Sequence, residues 1–316
     1  MKNNRCLFCY QLLPNDPIDY HPACSKKIFG TTTPPVLPYS EEQMGELAWK
    51  ILQSHITVTG VQPKVTLELS AGETKDAARR FTIVGLWGDY ILKPPTPHYP
   101  FLPEVEDLTM HLASIAKISV VPHSLIRLQS GSLAYITRRI DRVKKVKRHM
   151  EDMCQLTEKL TEEKYHGSYE QIGKVILKYS DNPGLDQVNF CEQVLFSFLT
   201  GNADMHLKNF SLINLPNLGY NLAPAYDMVA TKLVNPTDDE EMALSLNGKK
   251  RRIKRSDFEA AFSNLKLDAK QQRNIFIKFE RVLKAWMDFI QISFLPDDMK
   301  KQYVDLTQSR MKILQK

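Results

Sequence analysis

Apolar residues recur along the chain with two different periods, and the change from one to the other divides it. In the first part the pattern is short and alternating. Val65-Thr66-Leu67-Glu68-Leu69 alternates, Phe81-Thr82-Ile83-Val84 is rich in β-formers, and Tyr90-Ile91-Leu92 runs into Lys93. Such segments predict strands, and two more are expected around Ser124–Leu128 and Leu133–Thr137. Beyond the break at Pro100 and Pro103, a helix is expected from Glu104 to about Lys117. It carries Leu108, Leu112 and Ile115 on one face and acids in its first turn. Helical spacing also runs through Met44, Leu47, Ala48, Ile51 and Leu52, after a proline-rich connection, TTTPPVLPYS, that reads as extended.

Further along, the period lengthens. Val188, Cys191, Val194, Leu195 and Phe198 lie three and four residues apart and predict an amphipathic helix over 187–200. Three more helical stretches are expected between about 256 and 315, one holding Phe276, Phe279, Val282, Leu283 and Trp286. A strand-rich first part followed by a helix-rich second part indicates an α+β fold of two lobes, with a cleft where they meet.

Composition narrows the class. Of 316 residues, 43% are apolar and 25% charged, which suits a globular protein of two domains. Basic residues outnumber acidic ones by 42 to 36, a net charge of +6. That is too mild and too dispersed for a dedicated nucleic-acid binder. The runs Lys144-Lys145-Val146-Lys147-Arg148 and Lys249-Lys250-Arg251-Arg252 read as solvated loops or strand tips. No apolar stretch is long enough to span a membrane. The opening MKNNRCLFCYQLLPND lacks the apolar core of a secretory signal, so the cytosol is the expected location.

Five cysteines are too few and too unevenly placed for a disulfide framework. Cys6, Cys9, His21 and Cys24 form two tight pairs separated by a short loop, a spacing that can converge on a tetrahedral structural zinc ion. The alternative is a set of free thiols in a frayed terminus. Cys154 and Cys191 stand in apolar surroundings and read as core residues.

The richest chemistry lies in Gly201-Asn202-Ala203-Asp204-Met205-His206-Leu207-Lys208-Asn209-Phe210, with Asp227 following in PAYDM. Phosphoryl transfer to a hydroxyl needs a carboxylate to accept the proton and oxygen ligands to hold magnesium on the nucleotide. An Asp, an Asn five residues later, and a second Asp after a short hairpin are the spacing that kinases use. Taken alone, this pattern is also what a capping Asp and a turn Asn produce. Context comes from Lys93 at a strand end and Glu106 in the next helix, the kinase arrangement that grips α- and β-phosphates. Upstream, TVTGVQPK has a single glycine, yet a loop there can offer backbone N–H groups and Lys64 to phosphates.

In this order, the segments resemble the HipA family of bacterial serine/threonine kinases, toxins of toxin–antitoxin systems, over roughly residues 45–290. TVTGVQPK resembles the family's phosphate loop, YILKP the strand with the nucleotide lysine, and LPEVEDLTMHLA the helix with its glutamate. TRRIDR resembles the hinge, NADMHLKNFS the catalytic loop and PAYDM the metal-binding segment. The resemblance implies a bilobal protein-kinase-like fold and an ATP- and Mg2+-dependent kinase. Asp204 would be the general base, Asn209 and Asp227 the magnesium ligands, and Lys208 a neutralising or loop-positioning group. Gly60, Gln62 and Lys64 would meet phosphates, Lys93 the α/β-phosphates with Glu106 holding it, the backbone of Arg138 and Ile140 adenine, and Asp141 the ribose.

The family's phosphate loop often begins with an autophosphorylated serine; here Thr57 and Thr59 stand in its place. The loop also comes early, by residue 57, so the chain resembles the short, HipT-like branch in which a separate small protein supplies an N-terminal subdomain. The resemblance further implies an aminoacyl-tRNA synthetase as substrate and a helix-turn-helix antitoxin, with no direct nucleic-acid contact except through it. The expected organisation is a zinc-binding segment over 1–30, a strand-rich lobe over 31–142 and a helical lobe over 143–316. Two other readings stay open: a small-molecule kinase, and a non-catalytic nucleic-acid-binding scaffold, against which the lack of a basic stripe interleaved with aromatics counts.

Overall fold

In a computed structural model, the described residues are 4–14, 18–44, 46, 64–70, 79–84, 87–143 and 146–315. Thr57, Thr59, Gly60 and Gln62 lie outside them, as does most of the helix expected over 41–54, of which 41–44 and 46 are helical. The chain divides into two compact units. One comprises residues 1–107, 121–147 and 292–295; the other comprises 108–120, 148–291 and 296–316.

The first unit is built on a five-stranded antiparallel sheet of β1 (Val65–Leu69), β2 (Phe81–Val84), β3 (Tyr90–Lys93), β4 (His123–Arg127) and β5 (Leu133–Arg138). Its order is β2-β1-β3-β5-β4, so β3, which ends in Lys93, is the central strand. The register pairs Thr66 with Ile91, and Lys93 with Tyr135. Val65 and Leu67 alternate with less buried neighbours in β1, whereas β4 is buried over residues 123–126 and β5 over 134–137, on both faces. Against this sheet the N-terminal segment is packed rather than frayed: Cys6, Leu7 and Tyr10 are fully buried. The Leu7 carbonyl accepts from the Leu125 N–H and from the Ser124 hydroxyl. Helix α1 (Pro22–Phe29) follows, with Phe29 edge-on to Tyr20 and Phe81.

Helix α2 (Leu102–Ile115) starts two residues before the position expected from its apolar face. Its segment 102–107 belongs to the first unit, and 108–115 to the second. A small hairpin of β6 (Arg142–Val143) and β7 (Val146–Lys147) closes the first unit, with Val146 and Lys147 exposed.

The second unit is chiefly helical, as expected, with α3 (Tyr169–Tyr179), α4 (Pro183–Thr200), α5 (Arg255–Asn264), α6 (Ala269–Gln291) and α7 (Asp297–Leu314). It also holds a three-stranded antiparallel sheet, β10-β9-β8, made of β8 (Met150–Asp152), β9 (Ser211–Leu215) and β10 (Gly219–Leu222). The central element is α4, buried throughout from Phe190 to Thr200. Phe196 meets Trp286 edge-on, Phe198 meets Phe258, and Phe190 meets Phe210. Cys154 and Cys191 are both buried in this unit. Among the described residues no helix is long and apolar enough to cross a membrane.

Candidate functional site

In the first unit, Lys93 and Glu106 meet. The Lys93 ammonium lies 2.5 Å from Glu106 Oε1 and 5.5 Å from the centre of the Tyr135 ring. Lys93 is 6% exposed and Glu106 1%. In so dry a setting neither charge is tolerable without the other, so each side chain fixes the rotamer of its partner. One residue on, Asp107 is also fully buried, with Oδ2 accepting from the Tyr10 hydroxyl at 2.8 Å and Oδ1 2.6 Å from His123 Nδ1. A turn earlier, Glu104 is pushed up to about 7 by burial and, to a lesser degree, by the Asp107 carboxylate.

Of the residues assigned to the nucleotide, Lys64 is exposed immediately before β1. Ile140 and Asp141 lie in the bend after β5. The Arg138 N–H is engaged with the Pro122 carbonyl at 2.8 Å. Arg139, to which no role was given, forks onto the Asp141 carboxylate at 2.9 and 2.6 Å. Burial alone would raise the Asp141 pKa; the guanidinium outweighs it and holds the carboxyl below its ordinary range.

In the second unit, the catalytic-type loop is launched by the end of α4. Gly201 adopts φ +67°, and a Cβ there would come 2.7 Å from Leu306 Cδ2, so only glycine turns the chain at this point. Asn202 Oδ1 then accepts the Asp204 N–H. The Asp204 carbonyl accepts both the His206 N–H at 2.8 Å and Asn209 Nδ2 at 2.9 Å. A short 3-10 turn, Leu207–Asn209, completes the loop. The Asp204 side chain is thereby left half-buried and turned outward, where Oδ1 accepts the Tyr165 hydroxyl at 2.6 Å.

Asp227 is carried to this loop by its neighbour. The Tyr226 hydroxyl donates to the Lys208 carbonyl at 3.0 Å and lies beside Ser211 Oγ. Asp227 itself takes φ +53°, a left-handed conformation that non-glycine residues adopt at a cost. The buried His206 imidazole senses both acids. Burial, the largest influence, holds its pKa below the ordinary value, while the Asp204 and Asp227 carboxylates act in the opposite sense. Lys208 pairs with Asp152 Oδ2 at 2.9 Å. Asp152 also caps the short helix Met153–Leu156 through the Gln155 N–H.

Asn209 spends its amide nitrogen on the Asp204 carbonyl, so its Oδ1 is the atom left for a cation, and with the Asp227 carboxylate the chemistry of these side chains fits a hard, oxygen-seeking ion. A cavity elsewhere in this unit, lined by His149, Glu151, Tyr179 and Tyr220, holds none of the predicted residues. Sequence reasoning missed Tyr165 and Arg139 and gave Asn202 and Tyr226 no role of their own. Each acts through hydrogen bonds that spacing does not encode.

Element for element, the chain has a kinase-like α+β fold. It resembles HipA in the Shewanella oneidensis complex of HipA, HipB and operator DNA, with TM-score 0.65 and 21% identity over 81% of this chain and 64% of that one. It also resembles the Helicobacter pylori proinflammatory kinase CtkA, with TM-score 0.53 and 15% identity over 71% of this chain and 86% of that one. By sequence, the model of the HipA-like C-terminal domain matches residues 56–286, and the chain belongs to that family. A putative kinase of Haemophilus influenzae is 32% identical over 62% of this chain and 58% of its own length. The serine/threonine-protein kinase toxin HipA of Shewanella oneidensis is 26% identical over 60% of this chain and 46% of its own length. The chain thus spans about half the length of the curated relatives it matches.

Proposed function

We propose that this chain is an ATP- and magnesium-dependent protein kinase that phosphorylates serine or threonine hydroxyls. The observation that carries the reading is the state of Asp204: an outward carboxylate on a main chain held by the Asn209 amide, accepting a hydrogen bond from the Tyr165 hydroxyl at 2.6 Å. That is the ground-state contact a general base makes with an acceptor hydroxyl. Bound magnesium–ATP supplies the electrophilic phosphoryl group. Asn209 Oδ1 and Asp227 would hold the metal, and Lys93, kept in place by Glu106, would hold the α/β-phosphates. Asp204 orients the acceptor hydroxyl and takes its proton. Lys208, tied to Asp152, is best read as keeping the loop in place. Positioning and charge neutralisation account for the acceleration.

The whole-protein role follows the relatives. HipA of Shewanella oneidensis was solved with HipB and operator DNA, and we propose a helix-turn-helix antitoxin as the partner here, together with a small subdomain-like protein. An aminoacyl-tRNA synthetase is the proposed substrate, and Thr57 or Thr59 the site of self-phosphorylation. A phosphate on that loop would repel nucleotide phosphates.

Incubation with magnesium and labelled ATP, with and without cell extract, tests the reading. Label is expected on serine or threonine of a protein and is expected to vanish in Asp204→Ala while nucleotide binding persists. Transfer by Asp204→Ala at the native rate would refute it.

A further inference from the structure

The N-terminal segment carries chemistry that phosphoryl transfer does not use. The ligating atoms of Cys6, Cys9, His21 and Cys24 all lie within 4.8 Å of one another. All three cysteines are free thiols. A tetrahedral zinc ion with ordinary Zn–S and Zn–N bonds sets sulfur and nitrogen about 3.6 Å apart. Cys9 Sγ lies 3.5 Å and Cys24 Sγ 3.8 Å from His21 Nδ1.

The imidazole is also in the tautomer a metal needs. His21 Nε2 is 3.0 Å from the Leu12 carbonyl, which can only accept, so the ring proton sits on Nε2 and the Nδ1 lone pair faces the sulfurs. The surrounding backbone is equally organised. The Cys6 N–H donates to the Gln11 carbonyl and the Tyr10 N–H to the Cys6 carbonyl, closing a tight turn around the first cysteine pair. His21 and Cys24 flank and enter the first turn of α1, so the second pair comes from one rigid element.

What this turn positions is Tyr10. It follows Cys9 directly, sits at φ +62°, is fully buried, and gives its hydroxyl to Asp107. Asp107 adjoins Glu106, the partner of Lys93. We propose that Cys6, Cys9, His21 and Cys24 bind one structural zinc ion, and that this ion, through Tyr10 and Asp107, braces the first turns of helix α2. The significance of the brace rests on the role proposed for Glu106; the metal site does not.

The test uses the full chain, purified without a histidine tag. Metal analysis is expected to find about one zinc per chain after desalting. A strong chelator is expected to release it and to expose three thiols to a thiol reagent in step with the metal lost. Cys9→Ser is expected to lower zinc retention at least tenfold, and Cys154→Ser to leave it unchanged. In the native protein, amide exchange over residues 102–107 is expected to rise when zinc is removed. A folded, metal-poor native protein, a disulfide among Cys6, Cys9 and Cys24, or native zinc content in Cys9→Ser would overturn the site. If Cys9→Ser does not fold, the coupled release of zinc and thiols from the native chain decides alone. Unchanged exchange over 102–107 would overturn the brace. None of these readouts uses ATP, so they stand or fall apart from the kinase reading.

Discussion

The two units hold their key groups by opposite means. In the first, Lys93 and Glu106 are held in a buried ion pair, two opposite charges 6% and 1% exposed and 2.5 Å apart. In the second, Asp204 is fixed by its own main chain, whose carbonyl collects the His206 N–H and the Asn209 amide while the carboxylate faces outward. The group proposed to anchor the nucleotide thus sits in a buried ion pair, and the group proposed to accept the proton is kept out of one. It follows that substitutions in the first place register mainly as stability, and in the second mainly as rate.

The largest contrast is expected at Asp204. Asp204→Ala removes the proposed base and breaks no buried ion pair, so transfer should fall about 10³-fold or more while the melting temperature stays near that of the native chain. Glu106→Gln is the counterpart: it takes the carboxylate away from the buried Lys93 ammonium 2.5 Å off and should cost about 3–5 kcal/mol of unfolding free energy. The double change Lys93→Met with Glu106→Leu should recover much of that loss without recovering nucleotide binding. Urea melts of Lys93→Met, Glu106→Leu and the double variant decide this, and an additive cycle would show that the pair is not coupled.

Much of the fold is legible in the amino-acid sequence. Alternation in β1 and runs of β-formers in the others located all five strands of the main sheet within a residue or so; β4 and β5 are buried on both faces and are recorded by composition rather than by a period of two. Helix α4 was legible from Val188 to Phe198, but its true start at Pro183 was not, since Gly184 and Leu185 carry no periodic signal. The sheet of the second unit was harder: β8 is three residues long and half-exposed, too short for any period. Within the candidate site, type and spacing picked out the loop in which Asn209 folds back onto the Asp204 carbonyl. The site was illegible where the role is a long-range bond, as between Tyr165 and Asp204, which are 39 residues apart.

A pH dependence sharpens the same contrast. Glu104, at the start of α2, has its carboxyl raised by burial from 4.5 to about 7. The folded chain therefore prefers the protonated acid. The stability this confers is complete below about 4.5 and is lost as pH rises through about 7, on the order of 2 kcal/mol. Glu104→Gln, always neutral, should flatten that slope when unfolding free energy is measured between pH 4 and 8. A slope left intact would place the titrating group elsewhere.

The finest comparison sets two tyrosines against each other. Tyr10 gives its hydroxyl to the buried carboxylate of Asp107, beside Glu106; Tyr226 gives its hydroxyl to the carbonyl of Lys208, and so carries Asp227 to the loop. A hydrogen bond to a charged acceptor is worth about 1.5–3 kcal/mol, and one to a neutral carbonyl about 1. Tyr10→Phe should therefore lower unfolding free energy by more than Tyr226→Phe does. Function should rank them the other way for the metal: Tyr226→Phe frees the segment of Asp227 and should weaken magnesium–nucleotide binding several-fold, with nucleotide binding in the absence of magnesium unchanged. Tyr10→Phe, acting through Asp107 and Glu106, should weaken nucleotide binding equally with and without the metal. Titrations of both variants at high and low magnesium separate the two routes, and identical magnesium dependence in both would mean that Tyr226 does not position Asp227.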